Sequence, residues 1–220
     1  MIRDGGTEAK AFIMASQDLH AHALDGVHSV RQSARFIMNY RYAEERMMRM
    51  MAGWIALTPE LPVKLEIARQ VYECALHVDA LGKRLAELRS QGQVSRAANE
   101  AFVALMNEIE DKEQWEDTIE RLVAIYRVIK PHLLSHYKAH AAAANQVYEP
   151  PTLRMLEHLA GDEQRHIDRG LALLDGLLDT PEKHRRAALW QSHLEEMLAA
   201  AGGVTGFHQQ EPAPERLGRS

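Results

Sequence analysis

The stretch Thr152–Leu178, TLRMLEHLAGDEQRHIDRGLALLDGLL, constrains this chain more than any other. Leu153, Leu156, Leu159, Ala160, Ile167, Leu171, Leu174, Leu177 and Leu178 recur at helical spacing. The segment therefore predicts one long amphipathic helix with a single apolar stripe. Two residues interrupt the stripe. Glu163 falls on the line of Leu156 and Gly170, and His166 lies one turn on and slightly aside. A carboxylate does not enter a core without a partner. Residues three apart share a helix face, so Glu-x-x-His projects an oxygen and a nitrogen ligand from adjacent turns, as metal-binding helices do. The structural alternative is a pairing of Glu163 with Arg165, Lys130 or a tyrosine.

The remainder reads as all-α. Ala, Leu, Met, Glu and Arg dominate, and no strand-like alternation occurs. Glu8–Leu24 forms a short helix carrying His20 and His22, with His28 just beyond, all expected at the surface. A longer helix spans Ser29 to Leu57. Its apolar face holds Ile37, Tyr40, Met47, Met48, Met51 and Ile55, with Glu44 inside that face and Glu45 on the solvated side of Arg41 and Arg49. Glu44 either ligates a metal or pairs with Arg41 or with neighbours on the Arg31 side. Thr58 is placed to cap the next helix, with Pro59 in its first turn, and that helix reaches about Arg89. So short a connection makes an antiparallel hairpin in which Glu44 and Glu73 stand level. Glu73 and His77, spaced i and i+4, share a face. Periodicity puts them with Glu66, Gln70 and Arg84, opposite Ile67, Val71, Cys74, Val78 and Leu85. That pattern favours a solvated charged face; the alternative is a polar stripe turned inward.

Gln91-Gly92-Gln93 marks a loop, Ser95 a cap, and a helix runs from Arg96 to Lys130, where Pro131 breaks or kinks it. His132, His136 and His140 follow at intervals of four. Counting outwards from the elbow Glu149–Thr152, the positions level with Glu163 and His166 are Lys130 to His136, and no carboxylate is among them. His132 or His136 completes a ligand set there, or Lys130 neutralises Glu163 without any metal. Thr180-Pro181 caps a last helix to about Ala201, packed outside the others, and the polar Gly202–Ser220 reads as a tail that is disordered or draped. One helical domain over 1–202, with its core at 29–178, follows.

A net charge of −5 and no basic run argue against nucleic acid. No apolar run approaches the roughly 20 residues of a membrane span and no leader opens the chain, so a cytoplasmic protein is expected. The single Cys74 rules out an intramolecular disulfide.

In Glu44, in Glu73 with His77, and in Glu163-Gln164-Arg165-His166, the chain resembles the ferritin-like superfamily. These are antiparallel four-helix bundles whose interior holds two metals. YECALHVDALGKRLAELR (Tyr72–Arg89) and EPPTLRMLEHLAGDEQRH (Glu149–His166) are similar to a small bacterial ferritin-like group, and the likeness covers Ser29 to Leu178. The resemblance implies a ferritin-like bundle with additional N- and C-terminal helices. It implies iron, as a di-iron centre, or manganese, on Glu44, Glu73, His77, Glu163, His166 and His136. It also implies O2-dependent oxidation of a small-molecule substrate. Two departures stand out: His77 follows Glu73 by four residues rather than three, and the third-helix carboxylate is missing. A reading of another class is a metal-free bundle that acts through an interface, as a homodimer using the Glu66, Glu73 and Arg84 side, or that binds a small ligand between its helices.

Overall fold

The computed structural model describes residues 28–90, 94–145, 147 and 149–206, and among these the regular structure is helical throughout. The expected helix at Glu8–Leu24 lies outside the described residues, as does 207–220. No helix among the described residues is long and apolar enough to cross a membrane.

Helix α1 spans Val30–Leu57. Ser29 and Gln32 cap it reciprocally, the Ser29 hydroxyl accepting from Gln32 N at 3.2 Å and Gln32 Oε1 from Ser29 N at 2.9 Å. Thr58 closes α1 rather than opening the next helix, because its hydroxyl donates back to Trp54 O at 2.8 Å. Helix α2, Leu61–Glu87, starts instead from Glu60 and carries Pro62 in its first turn, where a missing N–H costs nothing. Arg121 is buried against the end of α1. Its guanidinium donates to Lys112 O at 2.7 Å, Gln114 O at 2.6 Å and Leu57 O at 3.2 Å, satisfying carbonyls that a helix end and a loop leave open.

The helix expected over Arg96–Lys130 is divided. Helix α3, Glu100–Glu110, is capped by Asn99, whose Oδ1 accepts from Phe102 N at 2.9 Å. The polar run from Asp111 to Gln114 offers nothing to a core, and a 3-10 turn at Trp115–Asp117 leads into α4, Thr118–Val123. A π-helical turn, Ala124–Ile129, then runs into α5, Lys130–Ala143. Pro131 does not end the helix. The widened turn before it, in which Lys130 N–H bonds Ile125 O five residues back, accommodates a residue with no N–H and a bulky ring. Helix α6 is Pro150–Leu177; α7, Pro181–Ala200, starts from a Thr180 cap and packs against α3, α4 and the π turn.

Pairings between elements give the register. Arg41 with Val78 and Glu44 with His77 set α1 and α2 antiparallel. Glu73 with His166, His77 with Asp162 and Arg84 with Thr152 do the same for α2 and α6. Lys130 with Glu163 and Tyr126 with Gly170 align α6 against α5 and the π turn, and Tyr137 with Glu44 joins α5 to α1. Side chains of four helices thus meet in one interior.

Two expectations are corrected by this packing. Glu66, Gln70, His77 and Arg84 are buried, whereas Leu61, Leu65, Tyr72 and Leu76 are exposed by half or more. The polar stripe of α2 therefore faces inward. Covered by α1 on one side and α6 on another, α2 buries a wider arc than a single apolar stripe reveals. In the stretch from Gly202 that was expected to be a tail, Val204 is not loose: it is fully buried, and its N–H donates to His132 Nε2 at 2.9 Å.

Gly170 is required by a close approach. A Cβ there would come within 2.3–2.4 Å of three ring carbons of Tyr126, which is itself buried. Gly170→Ala is expected to lose about 1–3 kcal/mol in urea unfolding, because the ring has nowhere to go. Gly176→Ala, with nothing within 4 Å of the new methyl, should gain up to about 1 kcal/mol from helix propensity.

Candidate functional site

The sequence-derived acids and imidazoles converge, with one exception. Glu44 on α1, Glu73 and His77 on α2, and Glu163 and His166 on α6 lie in one cluster, and Lys130 from the start of α5 enters its centre. Glu44, Lys130 and Glu163 have no exposed surface, and His77 and His166 almost none; Glu73 is at the rim, its side chain 28% exposed.

Lys130 is bound on every available hydrogen. Its ammonium lies 2.8 and 3.0 Å from the two Glu163 oxygens and 3.1 Å from His166 Nδ1, with Cys74 Sγ at 3.8 Å. An ammonium only donates, so His166 Nδ1 accepts, and the ring carries its proton on Nε2, which donates to Glu73 Oε2. Burial favours the neutral amine, but the adjacent Glu163 and Glu44 carboxylates outweigh it and hold Lys130 above its ordinary range.

His77 is the second cation. Its Nδ1 meets Glu44 Oε1 at 3.1 Å and its Nε2 meets Asp162 Oδ2 at 3.1 Å. Both partners are acceptors, so both ring nitrogens donate and the ring is an imidazolium. Burial alone would lower its pKa; the charge and hydrogen bond of Glu44, with the charge of Glu163, raise it to about 9. Glu44 shows the converse. Burial would raise it, yet His77, Lys130 and a 2.9 Å hydrogen bond from the Tyr137 hydroxyl bring it down to about 2. Arg41, the alternative partner for Glu44, is engaged with Val78 O and Ser95. Two fully buried carboxylates, Glu44 and Glu163, thus face two buried cations, and Asp162, a third buried carboxylate, is also paired with Arg165 at the surface, so each charge has a counter-charge.

Glu44, His77 and Glu163 can each present one ligand atom, all within 4.8 Å of one another. Glu44 Oε2 is buried and has no hydrogen-bond partner. These three residues fit one metal ion. They do not fit two, because the ammonium of Lys130 occupies the side of Glu163 that a second ion would need, and the third helix contributes no carboxylate there.

His136 is the exception. Its ring lies on that of His132, with centroids 4.2 Å apart, and its Nδ1 is 3.0 Å from His132 O, beside the segment that ends in Val204. The next residue, Tyr137, takes the inward position, and neighbours on a helix point about 100° apart. Asp162 is the partner that the sequence reading missed. It adjoins Glu163, and the only signal for it was an acid at the edge of the apolar stripe.

A second buried group resembles a hydrolase pair and is not one. Ser33 Oγ lies 2.7 Å from His140 Nε2 and also contacts Glu149 Oε1. The hydroxyl has one proton, which goes to the carboxylate, so His140 donates to Ser33 and provides no base for it. Burial, aided by the nearby His28, lowers His140 to about 4, which keeps it neutral.

No protein-family model, curated protein or solved structure matches the chain. The ferritin-like resemblance therefore rests on the identity and spacing of Glu44, Glu73, His77, Glu163 and His166.

Proposed function

We propose that this chain is a metal-binding protein of ferritin-like four-helix arrangement that holds one divalent transition-metal ion, with Lys130 standing where a second ion would be. The observation that carries this reading is Glu44 Oε2, a buried carboxylate oxygen without a partner beside His77 and Glu163. Leaving such an oxygen unpaired costs free energy unless something positive joins it. Two carboxylates and an imidazole suit iron or manganese as well as zinc. His77 must lose a proton to ligate, so an incoming dication replaces that proton while Lys130 keeps its own. Iron there would supply one-electron chemistry, and the family resemblance extends that to O2-dependent oxidation of a small molecule.

The test is anaerobic loading with ferrous iron or manganese, desalting and elemental analysis. One ion per chain is expected, lost in Glu44→Ala, and titration calorimetry in two buffers should show about one proton released per ion below pH 9. Two ions per chain would overturn the single-site reading. No ion at all would favour the second reading, a metal-free bundle, for which the specific observation is the balance of Glu44 and Glu163 against His77 and Lys130.

A further inference from the structure

Helix α2 turns a row of large apolar side chains to solvent. Leu61, Leu65, Tyr72 and Leu76 are 63, 57, 66 and 50% exposed. Steps of four, seven and four residues keep them within about 60° of one another around the helix, and the half-buried Ala68 lies in the same strip. Helices α1 and α6 cover the rest of α2, so the strip is the face they leave open. A continuous apolar row of this kind marks contact with another molecule, where single exposed apolar residues mark nothing.

The charges beside the strip indicate which molecule. Arg69 and Glu73 flank it on the side toward α6, where Glu73 meets His166. Lys64 flanks it on the side toward α1, and Asp79 lies at the strip's edge on that side. When two copies of a helix pack antiparallel about a two-fold axis, each flank meets the same flank of the other copy. An axis crossing α2 at the level of Gln70 and Val71 sets Leu65 of one copy against Leu76 of the other, and Leu61 against Ala80. It sets Ala68 against Tyr72, a small residue opposite a large one. The same axis brings Arg69 to Glu73 on one flank and Lys64 to Asp79 on the other, all within about 3 Å of level. Arg69 and Asp79 pair only within their own helix in the single chain, with Glu66 and Lys83. Exposed pairs of that kind are weak enough to give way to new partners. Other arrangements lose the match. An axis at Ala68 and Arg69 sets Arg69 against itself, and a parallel pair joins unlike flanks and gives Arg69 no acid.

We propose that the partner of this face is a second copy of the chain, packed α2 against α2, antiparallel, about a two-fold axis at Gln70 and Val71. Leucine and tyrosine supply the area removed from water, and the ion pairs between copies fix direction and register. Glu66 and Arg84 lie on the inward side of α2 and take no part. The interface holds whether or not a metal binds in the interior.

Sedimentation equilibrium of the full chain, run up to about 100 μM, should show monomer and dimer in exchange. Leu65→Glu/Leu76→Glu should weaken the dimer about tenfold or more, and circular dichroism verifies that the variant is folded. Register is read with a short bis-maleimide cross-linker, to which the buried Cys74 is silent. Leu65→Cys/Leu76→Cys should be linked into covalent dimers. Neither single cysteine variant should be, because each position then lies about 16.5 Å out of level with its own copy. A chain that stays monomeric to about 100 μM leaves the face to another occupant and overturns the proposal. A dimer unaffected by Leu65→Glu/Leu76→Glu in folded protein, or linking by a single cysteine variant in place of the double one, also overturns it.

Discussion

Replacing Lys130 with methionine is expected to destabilise the protein by about 3–5 kcal/mol. Methionine fills nearly the same volume, so little of that loss comes from a cavity. It comes from Glu163, which has no exposed surface and would lose its nearest cation, leaving His77 Nδ1 at 3.7 Å as the nearest one. His166 would lose the donor to its Nδ1 at the same time. The measurement is urea unfolding, read as a lower midpoint at unchanged m. Lys130→Met/Glu163→Met should recover part of the loss, since replacing a buried pair by apolar groups costs far less than halving it, and the double variant should lie at least about 2 kcal/mol above the sum of the singles. A single-variant loss below about 1 kcal/mol would show that the interior is not held by this pair.

Why Lys130 stands there was partly legible in the chain. The stripe of α6 exposed Glu163 and His166 as misfits because their neighbours are uniformly apolar. Counting back through the elbow at Glu149–Thr152 put Lys130 level with them, and the hairpin at Thr58–Glu60 put Glu44 level with α2. Those inferences needed only the constant rise of a helix. Three others failed because they depended on packing. The wheel of α2 assigned Glu66, Gln70, His77 and Arg84 to solvent, since periodicity cannot show that α6 covers a second arc. His136 was chosen by its height above the elbow at Glu149–Thr152, and height gives the level of a residue but not its direction; the next residue, Tyr137, takes the inward position. Asp162 went unread because an acid beside an acid gives no periodic signal; only the His77 ring, arriving from another helix, gives it a role. The all-helical class was plain from composition, whereas the balance of charge inside was not.

That balance predicts a pH profile whose sign follows from His77. Its pKa is about 9 in the folded protein against an ordinary 6.5, so the folded state binds the extra proton. The stabilisation is fully present below pH 6.5 and is lost as pH rises through about 9, amounting to about 3 kcal/mol. Glu44, lowered from 4.5 to about 2, gives the other limb: its contribution is complete above pH 4.5 and disappears as pH falls through about 2. The two limbs describe one ion pair from its two ends and do not add. Stability should therefore peak near pH 6.5: above it the His77 contribution is lost, and below it His140, held neutral in the fold with a pKa of about 4, lets the unfolded chain take up the extra proton, with Glu44 adding to the loss below about pH 4.5. His77→Gln should be less stable at pH 6 and should flatten the alkaline limb. Metal distinguishes the two functional readings in the same measurement. If a dication replaces the His77 proton, loaded wild-type protein stays level from about pH 6.5 to 9, where metal-free protein loses stability, because the gain from metal grows as the competing proton leaves the nitrogen. Identical profiles with and without manganese would mean that nothing but a proton binds there.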